Sequence, residues 1–534
     1  MATILGLHGG YTIGQHEPSA SLIIDGTTVA IYEEERFNRV KSSYGLLPKY
    51  SLLKLFDDFN LSLTDLDAIF VPGITYRNTA ERWSLFLYHL FGQRVSVTPC
   101  HHQEAHAAAA FYGSCFDDAA AVTLDASGDG VSGSIYRCSR SSGLTLVKHI
   151  PNDESLGMIY TAITYHLGFE DGDEYKVMGL APYASTELPL INFFDSDSAN
   201  NILRKQPALL SPFDYPSNAA ATEAFTKCTK RPVNSPLSIN HKNCAKQLQD
   251  ALVRRVSEIM EDAVTEVGVN NIVYAGGVAL NCAANNLIFS SQKIKAHYVS
   301  PVASDRGLAY GCACIGSSTL GDQIKPLGVP YLGSQYDEQA VIDELINNKI
   351  EYSLQNDICS YVAGALADGQ IIGWFQGRSE AGARALGNRS ILASATLPDM
   401  KEKVNASIKY REEFRPFAPV AASEFANEYW TLDPLIDYST MTYAVKAKQK
   451  AMDTLPSTVH VDNTSRLQTV SHTQNPLLHK LLLTYAELTS VPVLLNTSFN
   501  LKGQPIVESP RDALMTFYGC GIDLLIIGNI VIAK

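Results

Sequence analysis

The chain has 534 residues, 46% of them hydrophobic, which is enough to bury the cores of two or three domains rather than one. A formal net charge of −13 excludes a general binder of nucleic acid or anionic membrane, since either needs a basic face, but leaves anionic small molecules open to a local cluster of arginines. Ten scattered cysteines without a C-x-x-C pair, no apolar window of about 18 residues, and a start, MATILGLHGG, that runs straight into a strand predict a reduced cytoplasmic α/β protein, with no membrane span.

In chain order, TILGLHGG and SASLIIDGTTVAIYEEE predict a strand, a turn-rich stretch and a hairpin closed by Asp25-Gly26. The turn-rich stretch holds His16, in GQHEPSAS, which reads either as a structural loop histidine or as a general base near neutral pH. Next, HHQEAHAAAA resembles the H-E-x-x-H zinc helix of metalloproteases. Glu104, however, lies two residues after His102, so a helix turns it roughly 200° away from the histidine face. His102 and His106 share that face at ~5–6 Å between Cβ atoms, close enough to hold one ion or to stand as a solvated or capped pair.

AAVTLDASGDGVSGSIYRC then repeats the strand, turn and strand plan. Asp125 lies after the predicted strand, and Asp129 of the same turn reads as a turn former. Two such hairpins predict a duplicated α/β fold with a nucleotide or phosphate between its halves, or simply two hairpins. Residues 185–245 read as an insertion of mixed polarity without further assignment. NNIVYAGGVALNCAANNLI predicts a buried strand, a Gly-Gly turn open to a ligand, and a helix beginning near Val278. YVSPVASDRGLAYGCACIG puts Asp305 in a loop before a small-residue helix. Two histidines and a carboxylate make a facial set suited to Fe(II), Mn(II) or Zn(II).

The aperiodic stretch 321–340, GDQIKPLGVPYLGSQYDEQA, reads as the domain junction. Beyond it, GRSEAGARALGNRS carries Arg378, Arg384 and Arg389, and NASIKYREEFRPFAPV carries Lys409, Arg411 and Arg415. These cations lie among Gly, Ala and Pro rather than alternating with acids, and a buried arginine without a carboxylate calls for an anion such as phosphate. VLLNTSFNLKGQPIV adds Asn496, Thr497 and Ser498 as donors at a strand end.

Together, ILGLHGG…HEPSASLIIDG, EEERFNRVK, HHQEAHAAAAFY, DASGDG, DEYKVMGLAPY, AGGVALNCAANN, SDRGLAYG, GWFQGRSEAGARALGNRSILA, NASIKYREEFRPFAPV and NTSFNLKGQPIVESPRDAL resemble the NodU/CmcH family of O-carbamoyltransferases over nearly the whole chain. The resemblance implies a duplicated ASKHA (actin-like ATPase) fold in residues 1–335, like that of the tRNA threonylcarbamoyl transferases, followed by a YrdC-like α/β domain in residues 336–534. It implies that the second domain makes carbamoyl-adenylate from carbamoyl phosphate and ATP. The first would then transfer the carbamoyl group to a hydroxyl of a small-molecule, natural-product acceptor. Carried over by motif, His102, His106 and Asp305 hold a divalent metal (Fe2+, or Mn2+ or Zn2+) with Asp125 close by, and His16 is the base for the acceptor hydroxyl. Gly276, Gly277 and Asn281 line the adenylate. Arg384, Lys409, Arg415, Arg466 and Ser498 bind ATP, with its Mg2+, and carbamoyl phosphate.

ATP plus carbamoyl phosphate brings about six negative charges, which matches a cluster of always-charged donors. The chain departs from the family pattern at Ala383, where proline is common, and at Lys41-Ser42-Ser43-Tyr44, where a histidine often follows the lysine. An ASKHA-type kinase would share the hairpins but not the histidine helix or the arginine-rich domain. A tRNA-modifying threonylcarbamoyl transferase would share both chemistries but calls for a basic face. A two-histidine, one-carboxylate oxygenase would share the ligand set only, and a non-catalytic nucleotide sensor would bind ATP without releasing pyrophosphate.

Overall fold

The computed structural model describes residues 2–10, 14–185, 188–189, 193–194, 228–287 and 291–534, so most of the expected insertion at 185–245 lies outside the described residues. The chain forms a mixed α/β fold in two compact units. The first takes residues 1–29, 44–48 and 61–328, and the second takes 30–43, 49–60 and 329–534.

The first unit is built twice on one plan. One sheet runs β1 (Thr3–His8), β2 (Ser19–Ile24), β3 (Thr27–Glu33), β4 (Ala68–Pro72) and β5 (Thr98–Cys100), in the order β3-β2-β1-β4-β5. The other runs β6 (Asp118–Gly128), β7 (Val131–Ser139), β8 (Gly143–Pro151), β9 (Asn271–Ala275) and β10 (Ala296–Val299), in the order β8-β7-β6-β9-β10 when read from the same side. In each, the first strand is antiparallel to the second and parallel to the fourth. The two hairpin turns also match: Asp25-Gly26 and Asp129-Gly130 both have positive φ at both positions, the conformation that makes Asp-Gly a tight hairpin closer. The expected duplication is therefore present in the strand order.

A helix follows the last strand of each repeat: His102–Gly113 after β5, and Leu308–Thr319 after β10 and a short turn. The small residues of these helices allow them to cross at backbone contact. A Cβ on Gly311 would lie 1.9 Å from the Ala105 carbonyl oxygen, so no larger residue fits there. The helix expected near Val278 starts later, at Cys282, after a 3₁₀ turn over Gly277–Leu280.

The second unit holds an eight-stranded mixed sheet of β11 (Ser353–Leu354), β12 (Ile372–Phe375), β13 (Arg389–Ser394), β14 (Ala418–Ala422), β17 (Gln468–Val470), β18 (Val493–Ser498), β19 (Leu524–Ile527) and β20 (Ile530–Ala533); β15 (Val445–Lys446) and β16 (Thr464–Ser465) form a separate ribbon. Strand alternation sends Phe375, Ile391, Leu495 and Leu525 into a core with helices Glu338–Asn347 and Pro510–Tyr518. Trp374, Leu392, Leu494 and Ile526 enter a core on the other face, with helices Ile358–Ala367 and Pro476–Thr489.

Two N-terminal segments, residues 30–43 and 49–60, cluster with this second unit, although the expected first domain of residues 1–335 includes them. Buried charge explains the placement. Arg36 donates to the Gly382 carbonyl at 2.8 Å while Glu33 accepts the Gly382 N–H, and the two side chains pair at 3.3 Å. Arg39 donates to the carbonyls of Pro505 and Ile506 and pairs with Asp512 at 3.4 Å. No helix among the described residues is long and apolar enough to cross a membrane.

Candidate functional site

The crossing of the two repeats gathers the predicted ligands. His102 and His106 project from the N-terminal turns of their helix, Asp125 leaves β6 where its regular pairing with β7 breaks after Leu124, and Asp305 precedes the second helix. One ligand atom from each lies within 4.8 Å of all the others. Asp125 Oδ2 is 3.2 Å from His102 Nε2 and 3.3 Å from His106 Nε2, while Asp305 Oδ1 is 3.6 and 3.4 Å from the same atoms. Ligands bonded at about 2.1 Å to one ion stand roughly 3.0–3.5 Å apart, so two imidazoles and two carboxylates fit a first-row divalent ion.

The charges respond to this crowding. Burial alone lowers the basicity of His106, but hydrogen bonding to Asp125 and Asp305 outweighs it and pushes the imidazole up to about 9. Burial raises Asp305, but the nearby imidazoles, His102 foremost, win and hold it well below the usual carboxylate range.

The supporting groups are as defined as the ligands. Asp125 Oδ1 accepts the N–H of Ala126 at 2.8 Å and of Gly277 at 3.2 Å, which aims Oδ2 at the histidines. Asp129 faces the other way and clamps the start of the histidine helix by accepting the His102 N–H at 2.7 Å. Gly128 passes against the His102 ring, where a Cβ would approach to 2.2 Å.

His16 sits beside this cluster with its side chain 38% exposed. Withdrawal from water lowers its basicity, yet Asp305, Glu17, Asp125 and Asp171 raise it overall. Its ring meets Tyr44 edge-on at 5.4 Å, and the Tyr44 hydroxyl donates to Asp171 at 2.7 Å. His8, which the sequence reading did not single out, ends β1 fully buried; its Nε2–H donates to the His16 carbonyl at 2.9 Å and lies 3.7 Å from Asp305. Burial drives the His8 imidazole down to about 4, so it is neutral. Its position at the end of the strand predicted from TILGLHGG, just before a Gly-Gly pair, was the signal available in the sequence.

Two family models match the chain: "Carbamoyltransferase N-terminus" over residues 80–314 and "Carbamoyltransferase C-terminus" over residues 363–534. The chain is 34% identical to nodulation protein NolNO of Sinorhizobium fredii, across 97% of this chain and 79% of that one. It is 35% identical to nodulation protein NolO of Bradyrhizobium diazoefficiens, across 81% of this chain and 78% of that one. This chain belongs to the carbamoyltransferase family. Among solved structures, HypF in its phosphate- and nucleotide-bound form overlaps 61% of this chain and 47% of its own at 13% identity with a TM-score of 0.35, too slight an overlap to inform the fold.

In this carbamoyltransferase, Gly276 and Gly277 follow β9 directly. Gly276 has φ +95, and a Cβ there would meet the Leu124 carbonyl at 2.1 Å. Asn281 is locked to Gln249 by two reciprocal amide hydrogen bonds of 2.9 Å, with the Tyr160 hydroxyl also on Gln249.

In the second unit, Lys409 ends a π-helical turn, Asn405–Lys409, and is buried. It donates to the carbonyl oxygens of Ser498 and Asn500 and to Asn500 Oδ1, which brings Lys409 and Ser498 together. Burial first, then Arg411 and Arg415, hold its amine well below the usual lysine value. Arg384 lies in the loop before β13, Arg415 pairs with Glu412 at 3.6 Å, and Arg466 follows β16.

Three expected phosphate donors have other partners. Arg389 is fully buried with its guanidinium 3.5 Å from the Phe375 ring centre, and donates to the Gln376 carbonyl at 2.6 Å. Arg378 donates to the carbonyls of Gly333 and Leu332, and Asn496 to Ala385 O and Gln468 Oε1. Carbonyl oxygens and a ring face take these side chains, and the carboxylates of Glu508 and Glu380 favour the charge that burial disfavours in Arg389.

Proposed function

We propose that this carbamoyltransferase is an ATP-dependent O-carbamoyltransferase that forms carbamoyl-adenylate from carbamoyl phosphate and ATP, with release of inorganic phosphate from carbamoyl phosphate and of pyrophosphate from ATP. It then transfers the carbamoyl group to a hydroxyl of a small-molecule acceptor, with release of AMP. The observation that carries the reading is the buried cluster of His102, His106, Asp125 and Asp305 with His16 beside it, in a unit separate from the cationic Lys409 site. The doubled sheet plan supports an ASKHA-type first unit, and the resemblance of the second unit's motifs supports a YrdC-like adenylating domain.

The residues divide the work. Lys409, Arg384, Arg415, Arg466 and Ser498 offset the charge of ATP and carbamoyl phosphate while the anhydride forms. Gly276 and Gly277 let the adenylate approach the backbone, and Asn281 lines its site. His16 Nδ1 faces Glu17 at 3.9 Å, which leaves Nε2 to take the acceptor's hydroxyl proton. A divalent ion held by His102, His106, Asp125 and Asp305, with Fe2+, Mn2+ or Zn2+ all suited to the donor set, would stabilise charge on the departing phosphate.

The test needs no acceptor. Purified protein with Mg2+ and ATP should release pyrophosphate only when carbamoyl phosphate is added. Release of ADP and phosphate instead, or pyrophosphate release indifferent to carbamoyl phosphate, would sink the adenylation reading.

A further inference from the structure

Asp305 is flanked by two residues that grip the same carboxylate. Ser304 Oγ donates to Glu17 Oε2 at 2.6 Å, and Arg306 donates to Glu17 Oε1 from Nε at 2.7 Å and from its terminal nitrogen at 2.6 Å. Glu17 and Arg306 are nearly buried, at 11% and 10% side-chain exposure, so this pair, in which both guanidinium nitrogens converge on Oε1, is shielded from water. Glu17 adjoins His16 in sequence and holds a left-handed backbone at φ +56, a conformation a non-glycine residue keeps only where its surroundings impose it. His8 adds a second tie, donating to the His16 carbonyl at 2.9 Å from within 3.7 Å of Asp305. The loop is anchored on its other side as well, where Gly45 donates to the Gln15 carbonyl at 2.8 Å.

We infer that Glu17 is a positioning residue: through Ser304 and Arg306 it fixes the Asp305 turn in the metal-binding cluster and, in the same stroke, sets His16 against that cluster. The inference rests on the proposed reading of His102, His106, Asp125 and Asp305 as a metal site and of His16 as the base. Its physical basis is that residues 16–17 and 304–306, nearly 290 positions apart, are joined by three charge-assisted hydrogen bonds to one carboxylate. Without them the Asp305 turn is left with main-chain anchors, the Ser19 hydroxyl on the Arg306 carbonyl at 3.0 Å and the Gly276 N–H on the Ala303 carbonyl at 2.7 Å, and the His16 loop with the His8 tie to the cluster. Outer groups that orient metal ligands typically contribute 10–100-fold in metal affinity.

The test compares wild type, Glu17→Gln and Glu17→Ala as intact, metal-stripped chains titrated with Co2+ and followed by visible absorption. Glu17→Ala should bind Co2+ about 10–100-fold more weakly, with an altered absorption band, and Glu17→Gln, which keeps the shape and one acceptor oxygen, should fall between. Reaction of His16 with diethyl pyrocarbonate, read by peptide mass spectrometry in the metal-free chains, should be severalfold faster in Glu17→Ala. Pyrophosphate release should be unchanged in both variants, which guards against a general folding defect. Wild-type Co2+ affinity, spectrum and His16 reactivity in Glu17→Ala overturn the inference. A wild-type chain that takes up no Co2+ overturns the metal reading instead, and the His16 reactivity still decides whether Glu17 holds the loop.

Discussion

Asp129 accepts the main-chain N–H of His102 through one oxygen, at 2.7 Å, and the N–H and hydroxyl of Thr75 through the other, at 3.1 and 2.6 Å. It touches no ligand atom of the cluster, yet it sets where the histidine helix begins relative to Asp125, four residues earlier in the same turn. Asp129→Ala is expected to weaken Mn2+ binding by about 10–100-fold, the usual effect of removing an outer group that orients ligands. Calorimetric titration of the metal-stripped protein with Mn2+ checks this, and equal affinities for variant and wild type contradict it.

The buried pair of Glu33 and Arg36 gives a prediction about stability. Arg36→Ala leaves the Glu33 carboxylate and the Gly382 carbonyl without their cation in a site where both side chains are 4% exposed or less. Removing one partner of a buried pair costs roughly 3–5 kcal/mol. The denaturation midpoint of the chain should therefore drop, and Glu33→Gln placed on the Arg36→Ala background should recover part of the loss. Pyrophosphate release should fall with it, because Gly382 lies two residues before Arg384. A wild-type midpoint in Arg36→Ala would show that the pair does not hold the segment.

How far the sequence discloses this arrangement depends on the range of each interaction. His102 and His106 are legible because helical spacing is local, and the two hairpins are legible because Asp-Gly turns are local. Asp125 and Asp129 are separable because one follows an apolar strand and the other sits in an Asp-Gly turn, but the break in strand pairing that aims Asp125 at the histidines, and the bond of Asp129 to a helix terminus, are not visible in the pattern. Glu17 meets Ser304 and Arg306, and Arg36 meets Gly382, across gaps that no periodicity records. In the second unit, the partners of Arg389 are hidden for a related reason. Charge density marks Arg389, but the carbonyl, the Phe375 ring face and the Glu508 and Glu380 carboxylates that surround it are supplied by the fold.

Lys409 provides the last prediction, on pH. Its three protons go to Ser498 O, Asn500 O and Asn500 Oδ1, all neutral acceptors, and its charged neighbours Arg411 and Arg415 repel the ammonium. Its folded pKa is therefore depressed, burial being the first cause and the two arginines the next. An anionic phosphate bound nearby supplies the missing opposite charge, favours the ammonium and raises the pKa again. Binding is then coupled to proton uptake wherever free Lys409 is already neutral, that is, in a window that opens below the ordinary lysine value of about 10.4. The sign follows: as pH rises through the depressed pKa, the KM for ATP or carbamoyl phosphate in pyrophosphate release should rise, by up to tenfold per pH unit for one coupled proton. Lys409→Met should have a high KM at every pH and no such dependence. Lys409→Arg should not restore activity, because a planar guanidinium cannot point three donors at the carbonyls of 498 and 500 as an ammonium does. A KM in the wild type that stays flat with pH until the ordinary lysine range would mean that Lys409 only braces the turn at Ser498 and Asn500.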